Sequence, residues 1–557
     1  MMSKNKNLNN IFLKFLIPSI LTAVAISLNE FVDGIVVANL LGNDALGLLN
    51  LAMPILLLYA MFAIVVGIGG SVKYASFIGE LKKENAGGVF SLALVYSVVV
   101  SLIFIILAVF FNTEVSNFLS SNVNYGGHYY LLVKIMLLSA PIIIITQSII
   151  YFLPVAGKPE YATLIIAVSN IINLMFDFIF IRGFSMGVEG SALATTVGYI
   201  IGAIIIILLI KMKKASIITS KVSNIDWGLF IPIFLIGLPS AIGQLSFVVK
   251  TFFGNYISSF FAGISGVTAF SVCIQTMSMT GIIVSGLVST IIPIVGFLYG
   301  QKDFHAIKTI LDMGMKIQIV FSILFFLLLE LFPQAVLAMF NVYEPNLAAM
   351  TVNGLRIFSA LYLFRGTIVL FISYAQIIGR KIYSISLSIL DGFAVLIILT
   401  YILAPFMGLN ALWVSFALSE LLILIGIIAV NWYIDRKSPN LEGFFLVEKV
   451  EDEVNKIVNF DETYSKDDLG EMAKFIEENN LDQSVIDDLD VIIKDMLEFI
   501  NGSGENKKGC LEIQIKKDDD FVARIRSIAE QPTIEKDNVK QDNLMGMYYT
   551  WLQSPSN

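Results

Sequence analysis

The chain has few of the residues that most often carry chemistry in soluble proteins. It has two cysteines and two histidines in 557 residues. Cys273 lies in an apolar run and Cys510 in the C-terminal tail, so the two are not expected to pair, and no metal-ligand cluster forms around them. His128 and His305 are too few for a histidine-based metal site. Charge is also scarce, at 14% of residues, against about a quarter in an average soluble domain. There is no Gly-x-x-x-x-Gly-Lys-Ser/Thr phosphate loop, which argues against ATP-driven work. No nucleic-acid partner, catalytic residue or cofactor is expected.

Apolar length is what the chain has in excess. Hydrophobic residues make up 57% of it and the mean hydropathy is +0.81. Runs of about 20 apolar residues cross a bilayer. Such runs cover about 12–39, 48–78, 89–111, 130–154, 161–181, 188–210, 229–257, 266–299, 314–337, 348–378, 383–404 and 410–433. The first is too long for a cleavable leader and lacks a small-residue cleavage site, so it is expected as a membrane helix. With the N-terminus placed in the cytosol, alternate loops hold the basic residues, from Lys4 and Lys6 through Lys82, Lys158, Lys302 and Arg380 to Lys437. The opposite loops hold only Arg182. This bias predicts a multi-pass protein of the cell membrane with both termini cytoplasmic.

The runs repeat at an offset of about 221. Pro18 recurs as Pro239, Gly79 as Gly300, and Met186-Gly187 as Met407-Gly408. Gly157-Lys158 recurs one residue later as Gly379-Arg380. Six spans per copy is an even number, so both copies face the same way and are related by an axis along the membrane normal. The expected architecture is all-α and polytopic: twelve helices in two six-helix repeats, an N-lobe over 1–220 and a C-lobe over 221–437. A duplicated membrane domain of this kind suggests a transporter.

A third region, 441–557, differs in composition. Counting Lys and Arg against Asp and Glu gives it −14, so the rest of a chain of net −8 carries +6. Ile486, Leu489, Ile493, Leu497 and Ile500 fall at helical spacing. LEIQI at 511–515 and FVARIR at 521–526 alternate as strands, with Asp518-Asp519-Asp520 as the turn between them. A small α+β cytosolic domain is expected, either a solvated appendage or a module with a cytosolic protein partner.

A charged group deep in a bilayer needs a reason to be there. Asp33 lies in the first span; Asn173 and Asp177 lie in the fifth, one helical turn apart and on one face. Two carboxylates and an amide make an oxygen-lined cation site, a proton relay or a structural hydrogen-bonded network, and the residues alone do not choose among these. Pro18, Pro141 and Pro239 fall in or near spans and permit bending.

LNEFVDGIVVANLLGNDALGLLNLAMPI, GIGGSVKYASFIGELKKENA, AGKPEYATLIIAVSNIINLMFDFIF, MGVEGSALATTVGY, IGLPSAIGQ and PIVGFLYGQKD occur in this order. Together they resemble the multidrug and toxic compound extrusion family over about residues 10–435, most closely its DinF-like branch. The resemblance implies two six-helix lobes around a V-shaped cleft. It implies export of organic, often cationic and aromatic, compounds in exchange for protons or sodium, with membrane lipid as surroundings and a monomer as the working unit. Carried over by residue, it makes Asp33, Asn173, Asp177 and the sixth-span Thr195 the coupling site. Glu30, one turn before Asp33, has no counterpart in the family pattern. At the equivalent positions the second half lacks these carboxylates, which leaves Gln244, Lys250, Arg356 and Arg365 as candidates to shape the cleft, with Asp391 or Glu420 as structural partners for the basic ones. The tail's order of helix and hairpin weakly resembles a degenerate GHKL ATPase of the anti-sigma-factor-kinase type, without its magnesium-binding Asn or its Asp-x-Gly.

Two other functions stand beside the antiporter. One is a flippase for a lipid-linked or anionic substrate, supported by the basic residues. The other is a transporter-like membrane sensor that signals through its tail.

Overall fold

The structure is a computed structural model. It describes residues 6–553 other than 42, 120–125, 213, 215–216, 221–224, 341, 450–452, 461–463, 480–483, 503–509, 517–520, 535, 537 and 546. At 29–35, 37–38, 43–47, 50, 453, 502, 516, 521–522 and 553 only the backbone is described.

The apolar runs are helices: α1 Lys6–Leu41, α2 Asn43–Gly79, α3 Lys83–Phe110, α4 Gly127–Ile150, α5 Pro159–Asp177 and α6 Val188–Lys211. The next helical stretch, Phe230–Gly300, is 71 residues long and breaks at Gly263, whose φ of 58° and ψ of −144° are not helical. A positive φ of this kind is cheap only for glycine. The break makes two helices, α7 over 230–262 and α8 over 264–300. Then follow α9 Phe304–Leu331, α10 as the pair Pro345–Ser359 and Tyr362–Ile377 bent by 45°, α11 Lys381–Met407 and α12 Asn410–Lys437. Among the described residues ten helical stretches are long and apolar enough to cross a membrane; the bent pair adds an eleventh and the break at Gly263 a twelfth. Pro18, Pro141 and Pro239 all lie inside helices.

The chain divides into two compact units. The larger comprises Phe15–Lys302 and Gly314–Ser438. Its first repeat has a core around Tyr59, Phe104, Leu132 and Tyr129. Its second repeat has a core around Phe270, Phe358, Trp413 and Phe416, with the Trp413 and Phe270 rings stacked 5.9 Å apart. Large apolar side chains also line the outside, as on α3, where Val99, Ile103, Val109 and Phe110 are exposed. That is expected where the solvent is lipid rather than water.

The two repeats meet through a repeat-related pair. A Cβ on Gly79 would lie 2.1 Å from the carbonyl oxygen of Phe297, and one on Gly300 would lie 2.0 Å from that of Ser76. Ser76 and Phe297 are themselves 221 apart, so the contact is symmetric. No side chain fits at either glycine, which explains why both copies carry one.

The smaller unit comprises Met1–Lys14, Asp303–Met313 and Pro439–Asn557. After a short ribbon, β1 Leu441–Glu442 with β2 Val447–Glu448, come β3 Glu453–Asn459, α13 Gly470–Glu478, α14 Ser484–Gly502, β4 Cys510–Lys516, β5 Phe521–Ser527, β6 Val539–Leu544 and β7 Met547–Gln553. The last five strands form an antiparallel sheet in the order β3-β4-β5-β7-β6. The expected stripe on α14, Ile486, Leu489, Ile493, Leu497 and Ile500, is buried in one core with Ile513, Ile515 and Ile525 of the sheet. The turn expected at Asp518-Asp519-Asp520 lies outside the described residues.

Candidate functional site

Helices α5 and α6 bring Asn173 and Thr195 together, and Asp177 lies one turn beyond Asn173 on α5. The helices approach closely because α6 has no side chain where they cross. A Cβ on Gly198 would lie 2.6 Å from the Ser169 carbonyl oxygen, and one on Gly202 would lie 2.6 Å from Ser169 Oγ. Asn173 is 4% exposed and Asp177 0% exposed. Asn173 Nδ2 donates to Thr195 Oγ1 at 3.3 Å. Asp177 ends the regular part of α5, and a π-helical turn, Phe178–Gly183, follows. The wider turn changes the direction in which the chain leaves the carboxylate. At Glu30 and Asp33 the backbone is helical within α1, and both side chains lie outside the described residues.

Upstream of Asp33, α1 is tied to α5. Thr163 Oγ1 donates to the Pro18 carbonyl at 2.9 Å and lies 2.7 Å from Thr22 Oγ1. Asn170 Nδ2 donates to the Ala25 carbonyl at 2.8 Å. Asn170 and Thr163 were not singled out in the sequence. Asn170 had a signal, because it lies 221 residues before Asp391.

The second repeat holds its own charge cluster. Lys250 of α7 is 2% exposed and Glu420 of α12 is 1% exposed, with Lys250 Nζ 3.6 Å from Glu420 Oε1. Arg365 of α10 donates through Nη1 to the same Oε1 at 3.0 Å and lies 4.0 Å from Asp391 Oδ1 of α11. Two positive and two negative groups balance, which is how buried charge is usually accommodated. A π-helical turn, Leu390–Ala394, carries Asp391.

This cluster forms one wall of a cavity of about 390 Å³. Gln244, Lys250, Arg365 and Asp391 line it, together with Tyr151 of the first repeat and Gln376 of α10; Glu420 lies behind the lining. Arg356 does not belong to it. It is exposed on the first arm of α10 and is not among the lining residues. Its spacing in α10 places it more than two turns before Arg365, on the far side of the bend.

A profile of the MatE family matches residues 18–179 and again 239–402. The two matches cover more than half of the chain, and they start 221 residues apart. The chain belongs to the MatE family. Its MatE segments fall within the two repeats read from the offset, and the chain is an integral membrane protein that crosses the bilayer many times. The multidrug export protein MepA of Staphylococcus saprophyticus is 21% identical over 377 residues, covering 67% of this chain and 82% of that protein. The probable multidrug resistance protein YoeA of Bacillus subtilis is 22% identical over 432 residues, covering 73% and 91%. Among solved structures, the outward-facing conformation of a multidrug resistance MATE family transporter of the MOP superfamily superposes with a TM-score of 0.70 at 20% identity, covering 79% of this chain and 99% of that one. A MOP superfamily transporter from Pyrococcus furiosus, whose binding pocket is described as of reverse polarity, gives 0.69 at 20% identity. At these identities the structures establish the fold alone.

Proposed function

We propose that the chain is a multidrug efflux transporter, a secondary antiporter that exports organic cations, aromatic ones included, in exchange for protons or sodium by alternating access. The observation that carries this reading is the burial of Asp177 on one helix face with Asn173, which is hydrogen-bonded to Thr195. An ionisable residue buried within a membrane span is by default a candidate to bind an ion or a proton. With Asp33 of α1 as the second carboxylate, these residues are the coupling site, and Glu30 adds another acidic residue to the same helix. The cavity beside the second repeat takes the cargo, with Gln244, Lys250 and Arg365 as its polar wall. Filling the coupling site shifts α1 against α5 through the Pro18 and Ala25 carbonyl ties and alters the cavity. Reversing a conformational ratio a hundredfold each way takes about 5.5 kcal/mol of differential affinity, which an ion gradient can help supply.

The names of the MepA and YoeA relatives support export of many drugs. The basic-loop bias supports a cell-membrane protein with both termini and the tail in the cytoplasm. The flippase reading drew on Lys250, Arg356 and Arg365. Two of these are paired with carboxylates and the third stands away from the cavity, so the cavity wall has no net positive charge to hold an anionic lipid. The test is efflux of a fluorescent organic cation such as ethidium from proteoliposomes under a proton or a sodium gradient, each imposed alone. Efflux under one gradient names the ion. No efflux under either gradient, with the protein folded and correctly oriented, overturns the reading.

A further inference from the structure

The second face of the tail's sheet is polar by sequence and yet buried. Glu512, Gln514, Arg524 and Arg526 alternate with the core residues of β4 and β5, and none is more than 6% exposed. Their partners come from two other parts of the same compact unit. Asp303 is 1% exposed. Its Oδ2 accepts from Arg526 Nη1 at 2.6 Å and faces Arg524 Nη2 at 2.8 Å. Its Oδ1 accepts from the Ala306 N–H at 3.0 Å and so caps the first turn of α9. Glu512 holds Arg526 from the other side, with Arg526 Nε donating to Oε2 at 2.6 Å. From the first turn of α1, Asn7 Nδ2 donates to the Cys510 carbonyl at 2.9 Å and reaches that of Arg526 at 3.4 Å. An exposed pair, Lys308 with Glu442 at 2.5 Å, adds a second tie to α9.

The sheet therefore grips the beginnings of two helices, α1 from the first repeat and α9 from the second. Both helices run on into the membrane repeats. Asp303 follows by three residues Gly300, whose backbone meets Ser76 of the other repeat. We propose that the tail is a built-in latch on the transport cycle: by holding Asp303 and Asn7 on one sheet face it fixes the starts of α1 and α9 to each other, and its release permits the repeats to part at the Gly79–Gly300 contact. This rests on the alternating-access part of the function proposed above and on no particular cargo. A buried charged network suits the role, because it is specific in register and breaks as a unit when one member is withdrawn.

The test uses the full chain in nanodiscs. Asp303→Asn is the informative variant, since asparagine caps a helix as well as aspartate does but offers the two arginines no charge. Amide hydrogen exchange is read at β4 and β5, and at 76–79 and 297–300. The latch predicts faster exchange at all three places, by about tenfold at the repeat contact, a size ordinary for coupling between sites. Asp303→Glu should restore most of the protection. Arg524→Gln leaves the Glu512–Arg526 pair in place and should give a smaller change in the same direction, which keeps the proposal testable if Asp303→Asn fails to fold. Faster exchange in β4 and β5 with no change at 76–79 and 297–300 would overturn the latch. Because exchange needs no cargo, loss of the efflux reading would leave this result standing, and normal gradient-driven efflux with unchanged exchange would remove the latch alone.

Discussion

The two repeats share a helical plan and bury their charge at different turns of it. In the first, Asp177 is buried one turn beyond Asn173, whose amide is hydrogen-bonded to Thr195. Shifted by 221, the positions of Asp33, Asn173, Asp177 and Thr195 hold Gly254, Ala394, Ile398 and Phe416. In the second, Glu420 is shared between Lys250 and Arg365, with Asp391 beside the arginine. Shifted back, Lys250, Arg365, Asp391 and Glu420 fall on Asn29, Ile144, Asn170 and Tyr199. Duplication thus preserved what the backbone needs, such as the Gly79 and Gly300 contact, and left the polar clusters free to diverge. The second repeat has not lost its carboxylates; it has them elsewhere, neutralised by covalently attached cations. On this account the first repeat is left to exchange a mobile cation, and the second is fixed by its own ion pairs.

The sharpest break between the two is expected at Asp177. Asp177→Asn keeps the volume and removes the charge, so gradient-driven efflux should disappear while the protein still folds and binds cargo. Glu420→Gln should act on stability instead. Removing one partner of a buried ion pair costs roughly 3–5 kcal/mol, so the variant should melt well below wild type in detergent. Lys250→Met with Glu420→Gln should recover part of that loss in a double-mutant cycle, because the two sites are coupled. Gly300→Ala tests what both repeats kept. Its methyl would meet the Ser76 carbonyl, and overpacking of this kind costs about 1–3 kcal/mol; thermal unfolding should show the drop, and Gly79→Ala should match it. Asn173→Ala removes one hydrogen bond to Thr195 and should cost about 1 kcal/mol, with a weakened rather than abolished response to the gradient.

A control outside both repeats comes from Asp303. Burial alone would raise its pKa, and the Arg524 and Arg526 guanidiniums outweigh this and hold it well below the usual carboxylate range. A depressed folded value contributes stability that is complete above the unfolded value of about 3.9 and is lost as pH falls toward the folded value. Melting of the tail should therefore gain no slope from this group between pH 5 and 8, and should fall below about pH 4. Asp303→Asn should flatten that acid limb.

The twelve spans and the repeat were legible because apolar length and a fixed offset are local signals. The bend within α10 was not, since the apolar run 348–378 continues through it, whereas the break at Gly263 falls in the gap between the runs 229–257 and 266–299. Asn173, Asp177 and Thr195 came from the family pattern; in the structure Asn173 is hydrogen-bonded to Thr195, and Asp177 is buried one turn beyond Asn173. Arg356 was misplaced because a sequence shows that a charge lies in a span and not which way the span's two arms face. In the tail, alternation revealed β4 and β5 and the stripe on α14. It could not distinguish a polar face that meets water from one that meets Asp303 and Asn7, because alternation records only that one face is apolar. β3, β6 and β7, with weaker alternation, were missed.

The central claim is that ion coupling resides in the first repeat. It is tested most directly by ethidium efflux from proteoliposomes bearing wild type or Asp177→Asn, with cargo binding measured in parallel on the same preparations. The account predicts that Asp177→Asn binds ethidium within about threefold of wild type, well under the tenfold that 1.4 kcal/mol would give, and shows no response to either a proton or a sodium gradient. A variant that still drives efflux with the gradient would contradict the account and move the coupling site out of the first repeat.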